Sequence, residues 1–453
     1  MPKRQVHVLG NSLAALFCAR RLSDEQNIHV IWTSSSPTIG GHFSGIRLGN
    51  QMADVGMVLL EIDSAPTRVL ALDALIHPPT GPSVRPYLSD WFLWLHPDES
   101  AFQTIPVQTI FRGKVVPDFY IGDSLEIFST LQPHEQKSIR NEVANCLQRA
   151  SKTLHPRNKR DSSAIKMRSI EDYCQSTYGK TYTDLFIRPW MNSLGVEPRT
   201  LSAGNHRTVW LPLYWPETIY SALSDDQPQN FQKEFFVPSH SSVAGFVKDL
   251  ASNLENRPNV DKLLTTDYSK TDPRIRQVWL TNGREHNDFL EQFKPIDTKP
   301  FISEPKHRIV ISVVLGEVLS DSEDRVVFCL DADPVYRYSI RNTHRGDNSS
   351  TCSIEFTMDK EELQNFHMEN FFRSFHEKTG ITVGGNTKLI HGKIGLTSMT
   401  TPRTTENSNN LELIPDAFTW GIDEHEPIPD AYGSFNDQLS IGLWTAERIL
   451  SEQ

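Results

Sequence analysis

The sequence predicts an α/β fold with a Rossmann-like domain, and three observations support this prediction. The chain has 453 residues, which is long enough for two or three packed units. Its first residues have the order strand, tight turn, helix, strand. Later segments have either helical periodicity or the alternation of strands. We therefore expect a Rossmann-like domain together with a helical lobe and a mostly antiparallel β-sheet lobe.

The composition restricts the class of partner. The formal net charge is −11, so we expect no basic surface for nucleic acid or anionic lipid. The five cysteines have neither a disulfide framework nor metal-ligand spacing, and we expect no metal. The N-terminus has no signal cleavage site, and no apolar run is long enough to span a membrane. These features predict a cytoplasmic protein with a small-molecule substrate. They leave open whether the protein forms a homodimer.

The N-terminal segment predicts a βαβ unit. Residues 6–9 form a short apolar strand, a tight turn and an apolar helical run follow, and a second strand comes at 28–32. The turn reads Gly-x-Ser-x-x-Ala, and Gly10 supplies the sharp bend. Ser12 and Leu13 lie where backbone N–H groups at a helix N-terminus approach a pyrophosphate. By itself, this turn fits an ordinary α/β turn equally well.

The residues after the second strand favour the cofactor-binding interpretation. They are Thr33-Ser34, then Ile39-Gly40-Gly41-His42, and later Asp54-Val55-Gly56-Met57. This order resembles the start of FAD-binding amine oxidases, protoporphyrinogen oxidases and UDP-galactopyranose mutases, in which a strand-end acid, an Ile-Gly-Gly and an Asp-x-Gly enclose FAD. The resemblance implies FAD as the cofactor. The implied contacts are Gly10, Ser12, Leu13, Thr33, Ser34, Gly40, Gly41, His42, Gly56 and Met57.

The position of the family's acid is occupied by Thr33. A carboxylate accepts two hydrogen bonds from a ribose, whereas threonine offers one hydroxyl. We therefore expect either weaker FAD binding or a ribose contact from the neighbouring Ser34 or Ser35.

The C-terminal segment extends the resemblance. A loop leads into an amphipathic helix that begins near Asp437 and Gln438, most like the mutase branch. The resemblance implies that these two side chains contact the ribityl chain of FAD. The alternative is a simple helix cap formed by Asn436 or Asp437.

The middle of the chain follows the mutase branch in the same order. Matching segments include Phe111-Arg112-Gly113-Lys114, Gly195-Val196-Glu197-Pro198 and Val335-Tyr336-Arg337-Tyr338. The last segment implies that Tyr336 and Arg337 face the substrate, with Arg337 holding an anionic group through two parallel hydrogen bonds. The alternative is an ion pair with a carboxylate of this acidic chain.

A general base is predicted at His391, because histidine titrates near neutral pH. One histidine among sixteen more often has a structural role. Lys393 is a second candidate for a residue near the flavin, and its alternative is an ordinary solvated lysine. Aromatic and basic residues between these motifs could line a pocket between domains, although such aromatics more often pack in loops. The candidates are Trp190, Arg207, Trp210, Tyr214 and Trp215.

Two departures from the mutases affect the predicted reaction. Val58 and Glu61 replace two imidazoles of the mutase motif. The mutase Lys-x-Trp-Gly is replaced by Asn192-Ser193-Leu194-Gly195. We therefore expect an FAD-dependent oxidoreductase that removes a hydride from a small, anionic metabolite. The alternatives are a mutase-like isomerase that uses reduced flavin on a nucleotide sugar, and a catalytically silent binding protein with a flavoprotein fold.

The order of these segments predicts a discontinuous organisation. We expect residues 1–75, 236–300 and 386–453 to form the FAD-binding domain. Residues 76–235 would form the mainly helical lobe, and residues 301–385 the β-sheet lobe.

Overall fold

The structure is a computed structural model. It describes residues 3–48, 51–56, 58–60, 94, 101–153, 168–201, 203, 206, 209–211, 213, 214, 216–224, 234–265, 275–280, 307–315, 324–330, 334–344, 349–383, 387–393, 417–419 and 435–451. Across these ranges, no helix has the length and apolar character needed to cross a membrane.

Sixteen strands are described. They are β1 (Arg4–Leu9), β2 (Ile28–Ser34), β3 (Ile46–Leu48), β4 (Gln51–Ala53), β5 (Phe102–Thr104), β6 (Val107–Phe111), β7 (Lys114–Pro117), β8 (Phe236–Pro238), β9 (Val260–Leu264), β10 (Arg276–Trp279), β11 (His307–Leu315), β12 (Arg325–Cys329), β13 (Val335–His344), β14 (Ser349–Met358), β15 (Thr387–Lys393) and β16 (Ala417–Thr419).

The described helices lie between and after these strands. They are α1 (Leu13–Ser23), α2 (Pro133–Thr153), α3 (Ile170–Tyr178), α4 (Lys180–Tyr182), α5 (Arg188–Ser193), α6 (Pro216–Ala222), α7 (Val243–Glu255), α8 (Lys360–Gln364), α9 (Met368–Thr379) and α10 (Phe435–Ser451). A π-helical segment, Thr183–Ile187, connects α4 to α5.

A five-stranded parallel sheet forms the centre of the Rossmann-like domain. Its order is β16-β10-β1-β2-β9, so strands that are distant in the chain become neighbours. The inner strands are apolar because both faces are covered; Val6, Val8, Val30 and Trp32 are fully buried. The predicted βαβ start is present, and both ends of the chain enter one core.

A seven-stranded, mostly antiparallel sheet forms a second layer. Its order is β15-β11-β14-β13-β12-β6-β7, and only the β12–β6 pair is parallel. One face is apolar and packs against α9, where Phe371 and Phe375 are buried. The opposite face is polar and carries Arg337, Ser339 and Arg341 at alternating positions of β13.

The helical region forms a third, aromatic-rich core. Phe119, Tyr182 and Phe186 are fully buried there. The ring of Trp190 stacks on Tyr120 with 4.5 Å between centroids. This core joins the polar sheet face at Tyr336, whose ring lies edge-on to Trp190 at 6.1 Å.

The domain boundaries remain a prediction. The strand pairing shows which strands pair across those predicted boundaries. Hairpin β6–β7 lies within the predicted helical lobe, but it pairs with β12 in the seven-stranded sheet. Strand β15 lies within the predicted FAD-binding segment, but it pairs with β11 of the same sheet. Of the described strands in that segment, only β16 joins the parallel sheet.

The first and last helices are in close contact. The rings of Phe17 on α1 and Phe435 on α10 meet edge-to-face at 5.4 Å. A Cβ atom placed on Gly442 would lie 2.5 Å from the carbonyl oxygen of Ala14 and 3.0 Å from the backbone nitrogen of Cys18. Only glycine therefore lets the two backbones approach this closely.

We expect Gly442→Ala to destabilise the protein by about 1 to 3 kcal/mol, since the added methyl group must push α10 away from the α1 backbone. The free energy of unfolding in urea measures this change. Gly245→Ala in α7 is the control. Its nearest contact is 3.3 Å from a serine side chain, and alanine is the better helix former. Equal losses for both variants would contradict the packing argument.

Candidate functional site

The two predicted cofactor turns lie side by side. Gly10 directly follows β1 and has a φ of 129°, and Gly40 has a φ of 102° before the short helical turn Gly41–Ser44. The backbone N–H of Gly40 donates to the carbonyl of Asn11 at 2.7 Å. The structure thus brings together two segments that are thirty residues apart in the chain.

The N-terminus of α1 opens at these turns. The hydroxyl of Ser12 accepts from the Ala15 N–H at 3.1 Å and donates to the Leu280 carbonyl at 2.5 Å. The side-chain oxygen of Gln438 accepts from the Ala14 N–H at 3.4 Å. Within the described part of the chain, no acceptor pairs with the N–H groups of Ser12 and Leu13. These two groups can therefore receive an anion.

The paired glycines differ in their surroundings. A Cβ atom on Gly40 would meet a methyl group of Val247 at 3.0 Å, so this glycine is needed for packing. Gly41 has a φ of 59°, and no described atom lies within 4 Å of the place of its missing Cβ. Gly41 therefore faces open space, as a residue in contact with a bulky planar ligand would.

The strand-end hydroxyl groups already have protein partners. The hydroxyl of Thr33 lies 2.6 Å from Nε2 of His7, and both residues are buried. The hydroxyl of Ser34 donates to the Ser36 carbonyl at 2.8 Å. Burial lowers the pKa of His7 from 6.5 to about 4, so the Thr33–His7 pair is neutral at physiological pH.

Asp54 connects the Rossmann-like domain to the sheet. Its carboxylate accepts from the N–H groups of Val243 at 3.1 Å and Ala244 at 2.8 Å, which are the first two residues of α7. Nη1 of Arg341 lies 3.5 Å from the same carboxylate. The Asp54 carbonyl also accepts from the Ser353 hydroxyl at 2.9 Å. Burial raises the pKa of Asp54, and Arg341 opposes this shift.

Arg341 has further partners that hold it in place. Its Nε lies 3.2 Å from Asp324, and Nη2 donates to the carbonyls of Pro238 and Ser241. Arg341 thereby ties β13 to the segment that precedes α7.

Gly56 lies against a buried ion pair on the polar sheet face. A Cβ atom on Gly56 would be 3.0 Å from the carboxyl carbon of Glu355. Glu355 accepts from Nε and Nη2 of Arg337, both at 2.7 Å, and from the Tyr336 hydroxyl at 3.1 Å. Arg337 and Glu355 are each 1% exposed. Glu355 thus lies between the predicted substrate residues, Tyr336 and Arg337, and the predicted cofactor residue Gly56.

A β-bulge explains how two consecutive residues reach one carboxylate. Side chains normally alternate between the two faces of a sheet, but the β13–β14 register shifts between Val335 and Arg337. Tyr336 and Arg337 can then both contact Glu355. Trp210 lies over the guanidinium at 4.4 Å from its ring centroid to Cζ, and its φ of 49° is unusual for a bulky residue.

Some predicted residues cannot be placed. Met57, Arg207 and Trp215 lie outside the described residues. Only the backbone is described for His42, Asp437, His391 and Lys393. In the antiparallel pair of β15 and β11, position 391 lies opposite Ile309. Their predicted roles stay predictions.

Two of the predicted lining aromatics belong to the core. The indole N–H of Trp190 donates to the Val209 carbonyl at 2.7 Å, and the Tyr214 hydroxyl donates to the Phe119 carbonyl at 2.5 Å. Both side chains are fully buried. Trp190 packs edge-on against Tyr336, whereas Trp210 lies over Arg337.

Sequence reasoning missed Glu355 and His7. Glu355 is the charged residue of a β14 that otherwise consists of apolar and hydroxyl-bearing residues. This is a signal, because buried carboxylates are almost always paired. His7 lies in an apolar strand and is a weaker signal of the same kind. The sequence does not show which partner either residue takes.

The described residues fit FAD in part. The N–H groups of Ser12 and Leu13, together with the open edge at Gly41, suit a pyrophosphate and a planar ring. The hydroxyls of Thr33 and Ser34 fit a ribose less directly, since each already takes part in a hydrogen bond within the protein. Among the described residues, no group of three or more His, Cys, Asp or Glu side chains could hold a metal ion.

Several solved structures share this architecture. Reduced UDP-galactopyranose mutase superposes with a TM-score of 0.63 at 13% identity, covering 100% of this chain and 95% of that chain. Wild-type putrescine oxidase bound to putrescine has a TM-score of 0.53 at 11% identity, and the likeness covers 99% of each chain. The chain has their fold. A fatty acid isomerase from P. acnes has a TM-score of 0.52 at 11% identity, with 98% of each chain covered.

These likenesses confirm the predicted fold and the predicted resemblance at the level of the fold. No protein-family model matches the sequence, and no curated protein matches it. At such low identity the shared feature is the architecture, so function has to be argued from the residues.

The neutral state of His7 predicts a pH dependence of stability. In the unfolded chain, His7 takes up a proton near its ordinary pKa of 6.5. In the folded protein its pKa is about 4, so it takes up the proton only at lower pH. Its contribution to stability is complete above pH 6.5 and is lost as the pH falls to 4. Compared with His7→Gln, which keeps a partner for Thr33, the wild type should lose about 2 to 3 kcal/mol more over this range. Urea unfolding at both ends of the range measures the difference, and parallel curves would exclude His7 as its source.

Proposed function

We propose that the chain is an FAD-dependent oxidoreductase that removes a hydride from a small metabolite. The observation that carries this proposal is the cradle of two turns at the start of α1. It combines the N–H groups of Ser12 and Leu13 with the open space at Gly41. Redox and isomerase chemistry in proteins of the same fold supports the assignment as an enzyme.

Each part of the cradle has a proposed role. Ser12 and Leu13 would hold the pyrophosphate at the helix N-terminus, and Gly40 and Gly41 would let the backbone approach the ligand. Gln438 already contacts the same helix end and would share in this binding. Bound FAD supplies the hydride acceptor, and the protein supplies orientation and a dry site. The roles of Gly56, Met57, His42 and Asp437 as further contacts belong to this proposal.

The ribose contact is proposed for Thr33 or Ser34. A ribose hydroxyl could donate to Thr33 while His7 remains its partner, because a threonine oxygen accepts through two lone pairs. A neutral pair is a weaker acceptor than a carboxylate, so we expect weaker FAD binding than a strand-end acid would provide.

The substrate side of the proposal involves Tyr336, Arg337 and His391. The sequence predicts that Arg337 binds an anionic group of the substrate. Glu355 affects this role because it is already bonded to the guanidinium of Arg337. An anion would have to share the guanidinium with a carboxylate that already forms two charge-assisted hydrogen bonds. His391 remains the proposed base.

A redox-neutral isomerase is the second candidate, favoured by the fold likeness to the mutase. The two reactions differ in what happens to the oxidised flavin. When substrate is added without oxygen, an oxidoreductase bleaches the visible absorption of the oxidised flavin, to about one equivalent per site. An isomerase that works on reduced flavin leaves the oxidised spectrum unchanged and turns over only after chemical reduction. Bleaching by substrate would remove the isomerase from consideration.

The cradle predicts the effect of a side chain at Gly41. Asparagine tolerates the left-handed backbone, and Gly41→Asn would project into the space proposed for the flavin. We expect the dissociation constant of FAD to rise roughly tenfold or more, a loss of about 1.4 kcal/mol. Fluorescence titration of the apoprotein with FAD measures it.

Gly113→Asn is the matched control for Gly41→Asn. Gly113 has a φ of 70°, and no described atom lies within 4 Å of the place of its missing Cβ, but it lies in the β6–β7 hairpin. This variant should bind FAD like the wild type. A colourless protein that takes up no FAD would instead support the catalytically silent binding protein.

A further inference from the structure

A small cavity lies between residues 54–58 and the polar face of the seven-stranded sheet. Asp54, Gly56 and Val58 line it on one side, and residues of β13 and β14 line it on the other. The centre of a water molecule can occupy about 10 Å³ of this cavity. One water molecule needs about this much room, so the cavity suits a ligand of that size.

Ser339 of β13 is a buried polar residue at this cavity. It lines the cavity wall and is 7% exposed. Within the part of the chain that the structure describes, no group forms a hydrogen bond with its hydroxyl. Buried hydroxyls in native proteins are bonded either to protein or to ordered water, because an unsatisfied one is unfavourable. The Ser339 hydroxyl therefore calls for a partner inside the cavity.

Arg341 offers a donor to the same cavity. Its Nε lies 3.2 Å from Asp324, and its Nη2 donates to two backbone carbonyls. Nη1 lies 3.5 Å from the Asp54 carboxylate, which is longer than a good hydrogen bond. Because Arg341 also lines the cavity, Nη1 can donate to a small molecule there.

Ser353 offers an acceptor on the neighbouring strand. It lies opposite Ser339 in the β13–β14 register and lines the cavity as well. Its hydroxyl donates to the Asp54 carbonyl at 2.9 Å and lies 3.2 Å from the Ser312 hydroxyl. A hydroxyl oxygen accepts through two lone pairs, so Ser353 can also accept from a water molecule.

The chemistry of the wall suits water better than an ion. A cation would lie beside the guanidinium of Arg341, and an anion would lie beside the carboxylate of Asp54. Water both donates and accepts, so it can bond to each of them. The rest of the wall is apolar, with Val58, Ile105 and Val326 each at most 5% exposed. A buried water makes about three hydrogen bonds, and the polar groups here supply that number.

We propose that this cavity binds one ordered water molecule, which Ser339, Arg341 and Ser353 hold on the sheet side and Asp54 holds on the other. The water fastens the segment that carries Gly56 to β13. It adds to the direct links from Arg341 and Ser353 to Asp54. None of these steps involves FAD, so the inference goes beyond the proposed function and does not depend on it.

The first experiment measures urea unfolding of full-length Ser339→Ala. The variant removes one bond to the water, so we expect the equilibrium constant of unfolding to rise about fivefold or more. A dry cavity predicts the opposite sign, because alanine would then remove a hydroxyl that has no partner. The smaller side chain cannot overfill the site, so overpacking does not confuse the result.

A double-mutant cycle tests whether two residues share the water. Ser339 and Ser353 form no hydrogen bond with each other, so a dry site predicts additive effects of Ser339→Ala and Ser353→Ala. A shared water makes the double variant roughly threefold or more stabler than additivity predicts. Thr357→Val combined with Ser339→Ala is the control cycle, and it should be additive. Thr357 lies four residues beyond Ser353 on β14 and donates to the Ser193 carbonyl instead.

A crystal structure of the full-length protein that resolves ordered water gives the direct answer. We expect density for one water molecule within about 3.2 Å of the Ser339 hydroxyl oxygen. A cavity without such density would overturn the proposal, and so would a Ser339→Ala variant that is more stable than the wild type. If Ser339→Ala does not fold, the wild-type crystal structure still decides the question.

Discussion

The carboxylate of Asp54 holds the parts of the candidate site in one arrangement. It accepts from two N–H groups at the start of α7 and pairs with Arg341 of β13. A buried carboxylate is tolerated only when such partners replace its hydration. Because its backbone carbonyl also accepts from Ser353, the segment that leads to Gly56 is attached both to α7 and to the seven-stranded sheet. The positions of Gly56 and of the Arg337–Glu355 pair therefore depend on this residue.

Local signals made the Rossmann-like part predictable. The glycines at positions 10, 40 and 41 each have a positive φ. Glycine is the residue that adopts this backbone conformation most readily, so its position in the sequence indicates such turns. Strand and helix periodicity also depend on neighbouring residues only. The resemblance then supplied the order of the segments, and the solved structures confirm the fold.

Long-range pairing was not predictable from the same signals. Arg337 was recognised, but its partner Glu355 depends on the register of two strands and on a bulge within that register. A bulge shifts which side chains share a face, and no local pattern marks it here. The Thr33–His7 contact likewise depends on how two parallel strands align. The sequence therefore indicated candidate residues, while the partners of those residues came from the structure.

The buried pair of Arg337 and Glu355 is better explained by the side-chain directions that it fixes than by a gain in stability. Removing two charges from water costs several kcal/mol for each ion, and well-packed apolar residues often stabilise a core equally well. The pair here is bidentate, bonded to Tyr336 and covered by Trp210. Such geometry fixes the direction of three polar side chains beside Gly56. An apolar replacement would keep the packing but lose that direction, so what the pair adds to the fold is the orientation of these side chains.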